Sequence, residues 1–318
     1  MAKTRLRVRP DEVMFRVGTG AFALVLVVGV LAIGFELYRQ STLSLHEFGW
    51  QFWQTDTWDP VAGQFGARPF IWGTLYSSVL AILISTPIAL GIAIYISELA
   101  PAWSRAPLVF LTELLAAIPS IVYGLWGVFV LVPVVRQLEI ATPTWLKSVP
   151  FFSGPPLGIG MLSAALVLAI MIIPFSSSIA REVLKAVPQA QREGAYALGA
   201  TQWEATRMAL FYARTGIVGA IMLGFGRALG ETMAVTMVIG NTPRINLSLF
   251  APQHTMSAVI ANEFTEASTP LYLHALIEIG LVLFILTLII NMISRAFIWS
   301  MGRQPKSKAS APALKAAA

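Results

Sequence analysis

Long apolar runs alternate with short polar segments along the whole chain. Six of these runs are long enough to cross a hydrocarbon core, which takes about 20 helical residues. They lie at about residues 17–37, 70–96, 107–135, 158–179, 214–240 and 270–298. The pattern predicts an all-α, polytopic membrane protein with six transmembrane helices.

The composition supports this prediction, because 56% of the residues are hydrophobic and only 12% are charged, against about 25% charged in soluble domains. A net charge of +6 could indicate nucleic acid, but Lys and Arg lie at the ends of the apolar runs. That placement is typical of membrane topology. We therefore expect membrane lipid around the chain and no nucleic-acid partner. The chain has no Cys and its three His are far apart, so we expect no disulfide and no bound metal.

The bias of Lys and Arg predicts that both termini lie in the cytoplasm. We expect a basic cytoplasmic N-terminus over residues 1–16 and a disordered cytoplasmic tail over residues 303–318. Between them lies a transmembrane permease domain over residues 17–302, with its core at about 70–298.

Each outer loop has its own character. The first, at about 38–69, is rich in aromatic side chains that favour the membrane–water boundary, so we expect it on the outer membrane surface: Trp50, Phe52, Trp53 and Trp58. The second, at about 136–157, is rich in Pro and predicts a non-helical cap. The third, at about 241–269, is polar and predicts a short helix from Met256 to Phe264.

The loop between the fourth and fifth spans, at about 180–213, predicts a helix, a turn and a second helix. Gly199 would end the first helix, and Thr201 with Glu204 has the spacing of a capping box for the second. Trp203 is an apolar side chain of the type found at binding hot spots. The loop either docks a partner protein or is a connector folded against the membrane.

The fifth apolar run contains two charges four residues apart, Arg227 and Glu231. Arg227 lies roughly 20 Å beyond Arg214 on a continuous helix, near the middle of a bilayer. On such a helix the two side chains share one face and can pair. Charged side chains at this depth are costly and are usually functional.

Two interpretations of this pair remain open. It is either an intramembrane salt bridge that holds helices together or an anion site on a transport path. In the second case Arg227 attracts the anion, since a guanidinium offers parallel donors to an oxyanion, and Glu231 is the resting partner of Arg227. Glu278 is a possible additional path residue, and Glu113 is a further charge at membrane depth.

Four stretches together resemble the phosphate permeases of ATP-driven (ABC) importers, specifically the PstC-type subunit. The resemblance covers about residues 54–291, and its most specific motif is Gly226-Arg-Ala-Leu-Gly-Glu231. The others are Trp58-Asp-Pro60 with Phe65-Gly-Ala67, Ile118-Pro-Ser-Ile-Val-Tyr-Gly-Leu-Trp126, and Glu193-Gly194-Ala195 followed by Gly199. The last stretch is similar to the EAA loop of importer permeases. The family loop has Ala where this chain has Gly194, and it has a later Pro that this chain lacks.

The resemblance implies a type I ABC importer permease bundle in a bacterial or archaeal plasma (inner) membrane. It implies that this chain forms a phosphate path with a second, PstA-like permease. Two PstB-like ATPase subunits would bind ATP and Mg²⁺ and contact Glu193, Gly194, Ala195, Gly199 and Trp203 of the coupling loop. A PstS-like binding protein would deliver phosphate to the outer face. Arg227 and Glu231 match charged residues that the family uses in transport. No cofactor would bind to this chain, and it would be a transport subunit rather than an enzyme.

Two other functions are consistent with the residues alone. The chain could be an ABC permease for another oxyanion, because the charges by themselves do not select phosphate. A secondary transporter driven by an ion gradient would need no coupling loop. A membrane-embedded enzyme is disfavoured, since neither H-E-x-x-H nor G-x-S-x-G occurs in the sequence.

Overall fold

The computed structural model describes residues 10–302, and within them the chain is helical without a named strand. This confirms the all-α prediction. The helices are α1 (Pro10–Gln40), α2 (Thr42–Phe48), α3 (Arg68–Ile94), α4 (Ala102–Ala117), α5 (Ser120–Trp126), α6 (Val132–Ala141), α7 (Thr144–Lys147), α8 (Met161–Lys185), α9 (Gln189–Ala197), α10 (Gln202–Leu229), α11 (Met233–Val238), α12 (Met256–Glu263) and α13 (Pro270–Gly302). The predictions for residues 1–9 and for the tail at 303–318 lie outside the described residues.

Six helical segments in this part of the chain are long and apolar enough to cross a membrane, as the sequence predicts. A π-helical turn extends α3 to Leu99, and another joins α5 to α6. The spans are Met14–Gln40, Arg68–Leu99, Ser120–Ala141, Met161–Lys185, Gln202–Leu229 and Pro270–Met301.

The third span begins later than predicted. The sequence predicts one helix over 107–135, but α4 ends at Ala117 and a separate helix starts at Ser120. Pro119 explains the break, because proline disfavours the helical conformation in the residue before it. Ile118 accordingly has an extended backbone, with φ −64° and ψ 129°.

The span formed by α8 lies at the centre of the bundle and is the most buried of the six. It packs against α3, α10 and α4. The main apolar core includes side chains of α3, α8 and α11: Ala81, Val167, Leu168, Ile172, Val235 and Val238. In contrast, no residue in the apolar window of α1 is buried, and α1 packs mainly along α13. The first span is therefore a peripheral helix.

The first outer loop packs into the protein more than the sequence predicts. Phe52 is fully buried in a second apolar cluster. Trp58 stacks edge-on against Phe65 and donates its indole N–H to Glu263 at 2.8 Å. Of the four aromatic residues predicted to lie on the membrane surface, only Trp50 is strongly exposed. The prediction of a surface loop is thus wrong for Phe52 and Trp58, because α12 and α13 supply an apolar surface that the local sequence does not reveal.

The other two outer loops are also ordered by contacts with the bundle. The second loop is not wholly non-helical, since α7 and a 3-10 turn at Pro150–Phe152 lie within it. The short helix predicted in the third loop is confirmed as α12. Although this loop is polar, His254 is buried beside α3, and burial lowers its pKa to about 4. The neutral ring accepts the Thr255 N–H on Nδ1 at 3.1 Å.

A close approach at Gly73 predicts a stability effect. A Cβ atom there would lie 2.0 Å from the His254 carbonyl oxygen, where α3 meets the third outer loop. We expect Gly73→Ala to destabilise the protein by about 1–3 kcal/mol, the usual range for overpacking. Gly91→Ala, on the same helix, meets no atom within 4 Å and should be neutral or slightly stabilising. Thermal unfolding of the detergent-solubilised protein tests this, and equal melting temperatures for the two variants would contradict it.

Candidate transport and coupling sites

The fifth span is broken at the position where the sequence places its charged pair. The helix α10 ends at Leu229, and α11 begins only at Met233. Gly230 is the C-cap residue, and its low helix propensity favours an end there. The prediction that Arg227 and Glu231 share one helical face is therefore wrong, because Glu231 lies in the break between the two helices.

Arg227 lies in the last turn of α10, where the helix dipole favours a positive charge. Its Cζ atom lies 5.5 Å from the ring centroid of Phe175, which is near the midpoint of α8. This is a cation–π distance. The side chain is exposed in the single chain. The guanidinium therefore reaches the middle of the bundle on a face that this chain leaves open.

Glu231 has other partners. Its Oε1 accepts the Ala234 N–H at 3.4 Å, at the start of α11, and its carbonyl oxygen accepts the Ser257 hydroxyl at 2.8 Å. None of the ion pairs within residues 10–302 joins it to Arg227. The interpretation as an intramembrane salt bridge is thus wrong for this conformation. The prediction that Glu231 is the resting partner of Arg227 is wrong for the same reason, and the Arg227 charge remains available to an anion.

The glycines around the break differ in their surroundings. A Cβ at Gly224 would lie 2.5 Å from the Ser176 hydroxyl, so this position allows α10 to approach α8 closely. A Cβ at Gly226 or Gly230 would meet nothing nearer than 3.9 Å. Neither of these two positions is therefore crowded by a neighbouring helix.

The structure does not bring the other two predicted membrane-depth carboxylates to Arg227, and Glu113 lies on α4, outside the six candidate spans, so its placement in the third span is wrong. Glu278 is fully buried on α13, where Oε2 accepts the Ser44 hydroxyl at 2.5 Å and Oε1 has no partner among the described residues. Glu113 on α4 accepts a bond from Arg181 at 3.4 Å. Both residues face contacts within this chain that local sequence could not show.

The coupling loop has the predicted local structure. The helix α9 ends before Gly199, whose φ of +82° is the left-handed conformation that glycine adopts without strain. Thr201 and Glu204 form both bonds of a capping box at the start of α10. The predicted helix, turn and second helix are confirmed.

Three apolar side chains of this loop face outward. Leu198 is 90% exposed and Trp203 is 65% exposed, and Tyr196 lies beside them on the exposed side. We call Tyr196, Leu198 and Trp203 the coupling patch; the sequence analysis identified only Trp203. Such a group of exposed apolar residues is typical of a protein-binding surface.

The remaining predicted coupling residues divide between two faces of α9. Glu193 is exposed, and Gly194 has no atom within 4 Å of a Cβ position. Ala195 is buried against the rest of the protein, so it holds the loop in place and cannot meet a partner directly. Glu193, Gly194 and Gly199 remain accessible.

An ion pair, which we call the tether, joins α9 to the end of α3. Arg192 donates two bonds to the Glu98 carboxylate, at 2.7 and 3.2 Å, and further bonds to the Leu184 and Val187 carbonyl oxygens at 2.9 and 2.8 Å. Both side chains are largely buried. Bidentate Arg–carboxylate pairs have a fixed geometry, so this pair fixes the position of α9 relative to the end of α3. The partners are 94 residues apart in the chain, and no local signal predicts such a pair.

Comparison with solved structures identifies the fold. The chain is similar to a subunit in the crystal structure of a bacterial ABC transporter involved in the import of the acidic polysaccharide alginate. The TM-score is 0.61 at 16% identity, over 92% of this chain and 99% of the other. A chain of the inward-facing MetNI methionine ABC transporter gives a TM-score of 0.55 at 18% identity, over 73% and 94% of the two chains. The architecture is that of a type I ABC importer permease.

Sequence comparison gives the family. Residues 85–299 match the family described as "Binding-protein-dependent transport system inner membrane component", and the chain belongs to this family. It is 46% identical over 290 residues to the phosphate transport system permease protein PstC of Mesorhizobium japonicum, covering 89% of both chains. It is also 46% identical over 303 residues to the PstC protein of Haemophilus influenzae, covering 93% of this chain and 96% of the relative. The protein is thus a multi-pass membrane permease of an ABC transporter.

Proposed function

We propose that this chain is a permease subunit of an ATP-driven phosphate importer. The observation that carries the proposal is the 46% identity to PstC proteins over nearly the whole chain. The open position of Arg227 at a helix break supports an anion path. A second, PstA-like permease would cover this face, so that Arg227 and Glu231 line a route between the two subunits.

In this route Arg227 attracts the phosphate, because its guanidinium offers parallel charge-assisted donors to two oxyanion oxygens. Phe175 holds the guanidinium by its ring face and takes none of its N–H donors. Glu231 lies near the same break and disfavours a second negative charge. Phosphate would therefore be bound weakly enough to leave, as transport requires.

The coupling loop would control transport along this route from the N-terminal end of α10, the helix that carries Arg227. The helix α10 starts at the capping box beside the coupling patch and ends in the turn that carries Arg227. Its 28 residues correspond to about 42 Å. Docking of a PstB-like ATPase on the coupling patch would move α10 as a rod, and the Arg192–Glu98 tether would move α3 with it.

Other parts of the complex follow from this assignment. Two PstB-like subunits would bind ATP and Mg²⁺, and this chain would bind no cofactor. A PstS-like protein would deliver phosphate to the outer loops. The coupling loop and both termini would lie in the cytoplasm, and the chain would reside in the plasma (inner) membrane. By linkage, the ATPase state and the membrane state would bias each other reciprocally.

Reconstitution tests the proposal directly. We expect the chain to co-purify with a paralogous permease and an ATPase, and the complex to hydrolyse ATP faster when a PstS-like protein loaded with phosphate is added. The same protein loaded with sulfate is the control. Stimulation by sulfate but not phosphate would reassign the substrate to another oxyanion. Transport by this chain alone in liposomes without ATP would refute the ABC assignment in favour of a gradient-driven transporter.

A further inference from the structure

A cavity of about 490 Å³ opens at the end of the bundle that carries the coupling loop. It lies between the π-helical turn at Tyr95–Leu99, α4 and the last turns of α8. Its charged lining consists of three cations and one carboxylate: Arg105, Arg181, Lys185 and Glu113. Apolar atoms of Ile96 and Phe110 complete the wall. The cavity is therefore positively charged and partly apolar.

Arg181 is the unusual member of this lining, because only 8% of it is exposed. Its Nη2 donates to Glu113 at 3.4 Å and forms an ion pair with Glu182 at 2.8 Å. Its buried Nε has no acceptor within the described part of the chain. A buried donor without an acceptor costs about 1–3 kcal/mol. The guanidinium of Arg181 at the cavity is therefore paired through Nη2 but keeps one N–H donor, on Nε, without an acceptor in the described part of the chain.

The two other cations leave charge available to a ligand. Arg105 donates Nε to the Ala100 carbonyl oxygen at 2.8 Å, which fixes the guanidinium and leaves its terminal nitrogens. Lys185 is exposed. Neither cation belongs to an ion pair formed within residues 10–302. Two guanidinium groups and an ammonium around one cavity suit a phosphate group, which accepts several charge-assisted bonds at once.

The cavity is distinct from the Arg227 face. Phe175, which contacts Arg227, and Arg181 are both on α8. Their spacing places them about 9 Å apart along the helix and about 120° apart around it. A ligand in the cavity therefore does not occupy the position facing Arg227.

We propose that this cavity is a second binding site, which takes a phosphate group. Two sources carry that chemistry: inorganic phosphate near the inner end of the path, and the headgroup of an anionic phospholipid. The cations recognise the phosphate in both cases. The apolar wall formed by Ile96 and Phe110 gives a lipid chain an additional contact.

Binding to the purified permease complex tests the proposal, with two measurements that separate the sources. Native mass spectrometry counts phosphatidylglycerol retained by the delipidated complex. Equilibrium dialysis measures radiolabelled inorganic phosphate in phosphatidylcholine nanodiscs, without ATP or binding protein. We expect saturable binding in at least one measurement, weakened about tenfold or more by Arg181→Gln, as loss of a charged hydrogen bond predicts.

Two further variants keep the test decisive if Arg181→Gln fails to fold. The double variant Arg105→Gln with Lys185→Gln changes only exposed side chains and should weaken binding similarly. The matched control, Arg207→Gln with Arg295→Gln, removes the same charge from exposed positions outside the cavity and should bind as wild type. Absence of saturable binding in both measurements, or equal losses in the double variant and its control, would overturn the proposal.

Discussion

Replacing Arg227 by glutamine is expected to lower phosphate uptake by about 10- to 100-fold, which corresponds to the loss of a charged hydrogen bond of about 1.5–3 kcal/mol. The guanidinium is exposed beside the helix break and packs over the ring of Phe175. Arg227→Lys keeps the charge but loses the parallel donors, so its uptake should lie between those of the glutamine variant and the wild type. Uptake of radiolabelled phosphate by proteoliposomes that contain the whole complex measures both effects.

A matched control lies on the same helix. The guanidinium of Arg214 also stacks on an aromatic ring, with Cζ 4.3 Å from the centroid of Phe211, but near the middle of α10 and roughly 20 Å along the helix from Arg227. Arg214 is half-buried and lies away from the helix break, so Arg214→Gln should keep uptake within about twofold of wild type, as is usual for substitutions outside the core. Full uptake by Arg227→Lys would show that the parallel donors are not used. Full uptake by Arg227→Gln would remove this residue from the transport path.

Features that depend on neighbouring residues could be predicted from the sequence. Six apolar runs gave the number of spans, since helix length and bilayer thickness are directly related. The coupling loop was predictable to the level of its caps, because Gly199 and the Thr201–Glu204 pair act within a few residues of chain. The same local rule applied to α12, which Thr255 caps by accepting the Ala258 N–H.

Features that depend on distant contacts could not be predicted. The fifth apolar run continues in hydropathy through the break at Gly230, and only the packing of α11 against α5 and α8 reveals that the helix stops. The buried state of Phe52 requires α13, which lies more than 200 residues away in the chain. The number of residues between two opposite charges therefore does not predict whether they pair. Arg227 and Glu231 are close in sequence but form no ion pair, whereas Arg192 and Glu98 are far apart in sequence and are hydrogen-bonded.

The break at Pro119 is encoded in the local sequence. Proline disfavours helix in the residue before it, and Ile118-Pro119 lies inside the run interpreted as one span. Because the segments before and after Pro119 are both apolar, hydropathy predicts one continuous span across it. Hydropathy thus locates membrane segments well but does not locate the breaks within them.

Gly199→Pro is expected to reduce uptake at least tenfold, in line with the loss of more than about 1.4 kcal/mol of coupling. The native φ of +82° is inaccessible to proline. Proline would also remove the Gly199 N–H that bonds the Tyr196 carbonyl oxygen at 2.9 Å. Since the turn sets the position of Leu198 relative to Trp203, the coupling patch would lose its shape. Uptake and co-purification of the ATPase should therefore both fall, while membrane insertion is unchanged.

The decisive comparison is with Gly199→Asn, because asparagine tolerates the left-handed conformation at a helix C-terminus. No atom lies within 4 Å of a Cβ at this position, so the asparagine side chain meets no steric obstacle. This variant should retain uptake within about threefold, at a conformational cost below about 1 kcal/mol. If proline and asparagine reduced uptake equally, the side chain rather than the backbone would matter, and the turn would not be what positions the patch. If proline had wild-type uptake, the loop would not couple the ATPase to α10 at all.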